Sequence, residues 1–353
     1  MRKIGRLHII LLHHMKRLET LIIVLALGFY IWFLKRFGIG QVLDFVRLVG
    51  WGLLLTIALE AIARLFNTLG WRVTIRDCPP NLTLFDMFVA RISGEAVDYV
   101  TPSAQLGGQL LMAMMVRRKL GMAVGLATVV VAALAESIGQ ILFITAALLI
   151  SLPLGWQFND LFWPVIGGFA VAVALAVAFY LVQVKEPFSR LWRAAEKLDL
   201  PMMRGEEVRL AAGEADAMLL DFYAHRRLRL AASCLCYLAA WSMGPIEIYI
   251  LLRLLHEPAS LQIAVLVEAL GLLIERATFM IPAKLVSQEG GKALIFAMLG
   301  YSADVGFAIG FLRRIKEMVW VMFGLGALTA HRLITERSEN SLQTEAFQAA
   351  EGE

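Results

Sequence analysis

Residues 91–118 read RISGEAVDYVTPSAQLGGQLLMAMMVRR, and this stretch decides how the rest of the chain is read. Apolar helical runs flank it, yet Asp98, Thr101, Pro102, Gln105, Gly107, Gly108 and Gln109 fall within a dozen residues. That density of polar, Gly and Pro residues breaks any ordinary membrane helix. Lipid cannot satisfy exposed N–H and C=O groups, so irregular backbone at membrane depth persists only where protein buries it or it lines a watery cavity. In secondary transporters such broken segments mark the binding site. Arg91 and Glu95 precede the break on the same helical run and join the candidate residues.

The surrounding composition is that of a polytopic membrane protein. Of 353 residues, 59% are hydrophobic and 18% charged, with a mean hydropathy of +0.71; soluble domains carry roughly 45–50% apolar and about 25% charged residues. A helix needs about 20 apolar residues to cross a bilayer core. Such runs lie near 18–34, 50–71, 123–152, 161–184, 230–253, 260–282 and 303–330. The basic N-terminus is followed by an apolar run without a small-residue cleavage site, which reads as a retained span. The expected fold class is an all-α polytopic membrane protein of about seven to eight transmembrane helices plus two re-entrant broken-helix segments, in one domain over 1–333. Residues 185–229 are expected as a cytoplasmic amphipathic linker and 334–353 as a disordered polar tail.

Lys/Arg bias sets the orientation. No Lys or Arg occurs between Leu120 and Val184, so the loop near Pro153–Asp160 is external, with Trp156, Phe158 and Trp163 at the interface. Arg117, Arg118, Lys119 and the segment after Lys185 are then cytoplasmic, as is the N-terminal cluster of Arg2, Lys3, Arg6, Lys16 and Arg17. Residues 83–118 begin and end on that side, which predicts a re-entrant hairpin.

The broken motif has an echo. Pro102, Gly107 and Gly108 are followed by Leu110, Ala113-Met114 and Gly121; Pro282, Gly290 and Gly291 are followed by Leu294, Ala297-Met298 and Gly300. Gln288 and Glu289 sit inside the second copy, and Glu275 and Arg276 just before it. A long apolar span carrying an acid follows each copy, with Glu136 in the first and Glu317 in the second. Four apolar runs lie between the copies, which places both on the cytoplasmic face; an inverted repeat needs an odd number.

Ionisable residues inside spans are functional candidates by default. Glu60 and Arg64 are spaced i, i+4 as a brace. Glu136, with Gln140 one turn on, can pair with Arg91 or Arg276 or carry a proton. Arg313 and Glu317 are spaced to neutralise each other. The remaining positive charge at Arg276, Lys292, Arg314 and Lys316 suits an anionic headgroup, whose phosphate oxygens arginine matches bidentately. Glu247 and Glu268 rank lower, near the interfaces.

There is no P-loop, dinucleotide fingerprint, HExxH or nucleophile elbow, and neither the three cysteines nor the six histidines show metal spacing. No metal and no cofactor are expected, and a transporter is favoured over an enzyme.

With these residues in view, the chain resembles the lysylphosphatidylglycerol synthase transmembrane-region family of flippase-like membrane proteins. GEAVDYVTPSAQLGGQLLMAMMVRRKLG is similar to the family's G-E-x-x-N-x-x-x-P-x-x-x-G-G-E pattern, and IPAKLVSQEGGKALIFAMLGYS to its P-G-G-x-G-x-x-E block. Asp98 stands where Asn is usual, Gln109 where Glu is usual, and Ala283 and Lys284 replace glycines after Pro282. The resemblance spans roughly 15–330. It implies translocation of a lipid, which in bifunctional members is an aminoacylated phospholipid made by a fused soluble transferase. Nothing foldable follows residue 333, so no such transferase is expected here; some stand-alone relatives are associated with hopanoid or other polyprenyl-lipid pathways.

The leading expectation is a flippase for an anionic or polyprenyl/hopanoid-type lipid in the bacterial inner membrane. Its expected partners are membrane lipids, a second copy of the chain and a lipid-biosynthesis enzyme, and no nucleic acid. The rivals are a membrane-embedded transferase with Glu136 or Asp98 as general base, and a non-catalytic partner of a lipid-modifying enzyme.

Overall fold

A computed structural model describes residues 47–100, 106–151, 159–197, 206–277 and 288–351. These residues form helices and no strand. In chain order they are α1 (Gly52–Thr74), α2 (Leu84–Val100), α3 (Leu106–Leu120), α4 (Met122–Ser151), α5 (Asn159–Gln183) and α6 (Pro187–Lys197), then α7 (Glu206–His225), α8 (Arg227–Trp241), α9 (Met243–Leu254), α10 (Leu261–Ala277), α11 (Glu289–Met298) and α12 (Ala303–Glu351).

Among the described residues, four stretches are long and apolar enough to cross a membrane: α1, α4, residues Ile166–Gln183 of α5, and α8 with α9 taken as one run, Arg227–Leu254. Three of the expected spans therefore need comment. The run at 18–34 lies outside the described residues. That at 260–282 is described over the 17 residues Leu261–Ala277 as α10, about 25 Å at 1.5 Å per residue, and its residues 278–282 lie outside the described residues. That at 303–330 belongs to α12, whose charges at 313–317 set it apart from a plain apolar span. Residues 334–351, expected as a disordered tail, continue α12 as helix.

The repeat seen in the sequence is a repeat of shape. In the first copy α2 and α3 run antiparallel: a Cβ on Gly94 would lie 2.7 Å from the Gly108 carbonyl oxygen, and the Gly108 N–H donates to Asp98 Oδ1 at 2.8 Å. The open end of this pair is tied by Lys119 Nζ donating to Asp86 Oδ2 at 2.7 Å. In the second copy α10 and α11 run antiparallel, with Lys292 beside Gly271 and Gly291 against Ile274. Its open end is tied by Tyr301 Oη donating to the Pro258 carbonyl at 2.7 Å. A single glycine then turns each chain into its long helix. Gly121 (φ +82°) precedes α4 and Gly300 (φ +83°) precedes α12. Both occupy the left-handed region, where a side chain costs roughly 1–2 kcal/mol.

The copies interlock crosswise. The long helix of the second copy packs on the first hairpin, where Ser93 Oγ donates to the Gly324 carbonyl at 3.2 Å and Gly324 lets α12 approach the Ile92 carbonyl on α2. The long helix of the first copy packs on the second hairpin, with Phe143, Ile144 and Ala147 of α4 against Ala269, Leu272 and Leu273 of α10. Between them α1 meets α8 face to face: Ser233 Oγ donates to the Gly70 carbonyl at 2.9 Å, at a glycine where Tyr237 leaves no room for a Cβ.

The helix α5 stands outside this core. Almost none of its apolar window is buried, and Val171, Leu175, Val177 and Leu181 point outward, a surface suited to lipid rather than water. The linker is more tightly held than its composition suggests. Ala215, Leu219 and Phe222 of α7 pack on Ala123, Ala127 and Val131 of α4, and Asp216 accepts the Phe188 and Ser189 N–H groups at 3.0 and 2.8 Å, capping α6.

Candidate functional site

The crosswise packing leaves a cavity of about 330 Å³ where α1, α2, α3, α4, α8, α9, α10 and α12 meet. Eight acidic and four basic residues line it. Most belong to one continuous series of ion pairs. Glu136 on α4 accepts from Arg91 Nη2 at 2.9 Å, and Arg91 Nε donates to Glu95 at 2.6 Å. Glu95 also pairs with Arg64 of α1, which pairs with Glu60 at 3.1 Å. Glu60 meets Lys316 of α12 at 2.8 Å, and Lys316 meets Glu247 of α9 at 2.7 Å. Arg313 bridges Glu247 at 2.9 Å and Glu268 at 2.6 Å. Lys292 of α11 closes the series 3.9 Å from Glu268.

Ten residues thus alternate in charge across both copies. The five from α1, α2 and α4 are three acids and two arginines, formally −1; the five from α9 to α12 are three bases and two acids, formally +1. Glu60–Lys316 joins them. Such groups are costly to bury singly, and a missing partner leaves an uncompensated charge, which explains why every member but the two ends is matched on both sides. Aromatic faces complete the walls: the Arg64 guanidinium lies 4.9 Å from the Trp320 ring centre and that of Arg91 5.7 Å from Tyr237. Trp241 and Tyr99 line the same space.

Beside this series, each hairpin's returning helix is held at its first turn. Asp98 receives the Gly108 N–H of α3, where a carboxylate also complements the positive end of the helix dipole. On the other side Gln288 Nε2 donates to Glu317 at 2.8 Å, and Glu289 pairs with the buried Arg314.

Of the residues expected from sequence, Arg91, Glu95, Asp98, Gln109, Glu136, Glu275 and Arg313 line the cavity. Gln140 is buried away from its lining, and Gln288, Glu289 and Arg314 form the adjoining clamp between α11 and α12. Gly108 and Gly291 set close helix approach, while Gly290 is exposed. Thr101, Pro102, Gln105 and Pro282 lie outside the described residues, as does the side chain of Arg276.

Two expectations are corrected. Arg313 does not spend its charge on Glu317; it reaches the buried acids of α9 and α10, which have greater need of a cation than a neighbour one turn along its own helix. Lys292, Arg314 and Lys316 are also not free positive charges, since each meets a carboxylate, and the surplus of that half of the series is a single formal charge. Sequence reading placed Glu247 and Glu268 too low: both are buried at the centre of the series. Their signal was present, since each is a lone acid in an apolar run, but their partners come from α12 and only the fold brings them together.

Residues 20–326 match the lysylphosphatidylglycerol synthase TM region family. The chain belongs to that family. The match takes in both hairpins, α4 and α12 as far as residue 326, so the cavity lies wholly within the lysylphosphatidylglycerol synthase TM region. No curated protein and no solved structure matches the chain. Family membership and the apolar helices make this an integral membrane protein with a lipid-related role.

Proposed function

We propose that this protein is a lipid transporter that carries a polar headgroup through the charged cavity while the acyl chains stay in the surrounding lipid. The observation that carries the reading is the ion-pair series itself. A purely structural core gains little from ten linked charges, five of them buried (Arg91, Glu247, Glu268, Lys292 and Lys316) and five lining the cavity half-buried, because well-packed apolar residues of similar volume are commonly as stable or more so. In a membrane protein such charges mark a substrate or ion path. The cavity volume is at the small end of ligand pockets, about 300–1,000 Å³, which fits a headgroup and excludes a whole lipid. The two hairpins are read as re-entrant, since helices of 17, 15 and 10 residues span only about 15–25 Å against a core of about 30 Å. The protein sits in the bacterial cytoplasmic membrane with its N-terminus and its α6–α7 linker on the cytoplasmic side, and works beside the enzyme that makes its lipid.

The test is translocation by purified protein in proteoliposomes. Fluorescent anionic, zwitterionic and polyprenyl-phosphate lipids are compared, with Asp98→Ala and Glu136→Gln as variants. Headgroup-selective movement lost in both variants supports the proposal. Absence of movement for every lipid, with and without a proton gradient, overturns it.

A further inference from the structure

The two hairpins are alike in shape, and the stretch between them sets how they are related. Among the described residues between Gly121 and Gly300, three stretches are long and apolar enough to cross a membrane, α4, Ile166–Gln183 and Arg227–Leu254, and then comes α10. The sequence reading expects four crossings here because it takes 260–282 as a span. The structure instead makes α10 the first limb of a hairpin, whose start and finish lie side by side through the Tyr301–Pro258 hydrogen bond. Three crossings are an odd number.

Charge agrees with the count. The open end of the α2–α3 hairpin carries Arg117, Arg118 and Lys119, whereas residues 255–260 and 299–302, at the open end of the α10–α11 hairpin, contain no Lys or Arg. Basic residues concentrate on the cytoplasmic side. The far part of α12 agrees too, since His331 lies near enough to Arg118, Lys119 and Asp86 to sense their charges. The crosswise packing shows that the copies are exchanged by a two-fold relation, since α12 lies on α2 as α4 lies on α10 and α1 meets α8 at the centre; the odd number of crossings and the charge asymmetry are what set that axis in the membrane plane.

We propose that the hairpins enter the membrane from opposite faces, so that the chain is an inverted repeat and its shared cavity opens alternately to the two leaflets. This goes beyond the proposed function and rests on it only for the alternating opening. Inverted repeats place the substrate site at their interface near the midplane and exchange inward and outward states by rocking one repeat against the other. Here the ion-pair series runs across that interface, and Glu60–Lys316 is the joint at which the negative half meets the positive half.

The experiment is labelling with a membrane-impermeant maleimide in right-side-out and inverted vesicles, on the full chain with Cys78, Cys234 and Cys236 replaced by alanine. Single cysteines are placed at exposed Ser302 (α11–α12 turn), Lys185 (before α6) and Leu333 (far part of α12), and at Asn67 on the cavity wall. The expected result is that Ser302→Cys labels from the face opposite Lys185→Cys and Leu333→Cys, while Asn67→Cys labels from both faces. Labelling of Ser302→Cys from the Lys185 face, or only after detergent, overturns the inverted arrangement. Labelling of Asn67→Cys from one face alone, or from neither, overturns the alternating opening. Lipid movement is read separately in proteoliposomes, so opposite-face labelling without transport removes the proposed function and leaves the inverted repeat standing.

Discussion

Replacing Arg313 with methionine tests the ion-pair series at its most heavily used cation. The guanidinium donates Nε to Glu247 at 2.9 Å and Nη1 and Nη2 to Glu268 at 2.6 and 3.0 Å. Methionine fills much of the same volume and removes the charge. Glu247 keeps Lys316 at 2.7 Å, but Glu268 is left with Lys292 at 3.9 Å in a site where its side chain is 6% exposed. Stranding a buried charge in this way costs about 3–5 kcal/mol. At about 2–4 °C per kcal/mol for a large domain, the apparent melting temperature in detergent falls by roughly 6–20 °C. The double variant Arg313→Met/Glu268→Gln removes the stranded charge and recovers more than half of the loss, a coupling at the upper end of about 0.5–3 kcal/mol. Lys292→Met, which removes the longest link, costs less than Arg313→Met. The assay is thermal unfolding followed by tryptophan fluorescence and size-exclusion recovery. If Arg313→Met melts within about 2 °C of the parent, or the two losses add without recovery, the series is not a coupled network and the reasoning fails.

The remaining expectations concern the helix joints. Gly324→Ala drives a methyl into the Ile92 carbonyl and costs about 1–3 kcal/mol. Gly326→Ala, two residues on and facing open space, is neutral or gains up to about 1 kcal/mol from helix propensity; melting of the two variants side by side decides it. Gly121→Ala and Gly300→Ala meet no neighbour yet must hold a left-handed φ, so each destabilises by about 1–2 kcal/mol, and equal losses at the two sites are the mark of equivalent turns. At the open end of the first hairpin, burial of Asp86 opposes its charge, but hydrogen bonds from Lys119 and Thr83 outweigh this and hold the carboxyl below its ordinary value. The stability Asp86 adds is therefore complete above its unfolded value near 4 and is lost as pH falls through the lower folded value. The melting difference between the parent and Asp86→Asn should shrink below about pH 4, and a difference that grows on acidification would count against this pairing.

Much of the site's outline was legible before the fold. The paired limbs flanking the two broken stretches and the single glycines at 121 and 300 became matched structural features, because amphipathic pattern and turn chemistry are local; the breaks at 101–105 and 278–287 lie outside the described residues. Glu60–Arg64 and Arg91–Glu136 were readable as candidate pairs, since intramembrane charges have few solutions. The central role of Glu247, Glu268 and Lys316 was not readable. A charge within an apolar run announces that a partner exists but not which helix supplies it, and here α12 supplies it for both acids. The i, i+4 spacing of Arg313 and Glu317 pointed to a local pair that tertiary packing overrode. The run at 260–282 is apolar enough to span, and only the packing of α11 back along α10 supports reading it as one limb of a hairpin.

The order in which the series is written along the chain bears on how the protein is made. Glu60, Arg64, Arg91, Glu95 and Glu136 all leave the ribosome well before Glu247, and Lys316 comes later still. Until α12 arrives, the first half carries a surplus carboxylate at Glu60, and the face of α2 around Ile92, Ser93 and Ala96 lacks the helix that covers it. A nascent chain with that exposed polar seam is where misassembly and proteolysis concentrate in large proteins that fold part by part. Truncations ahead of Lys316 are therefore expected to be cleared from the membrane rather than to accumulate as stable halves.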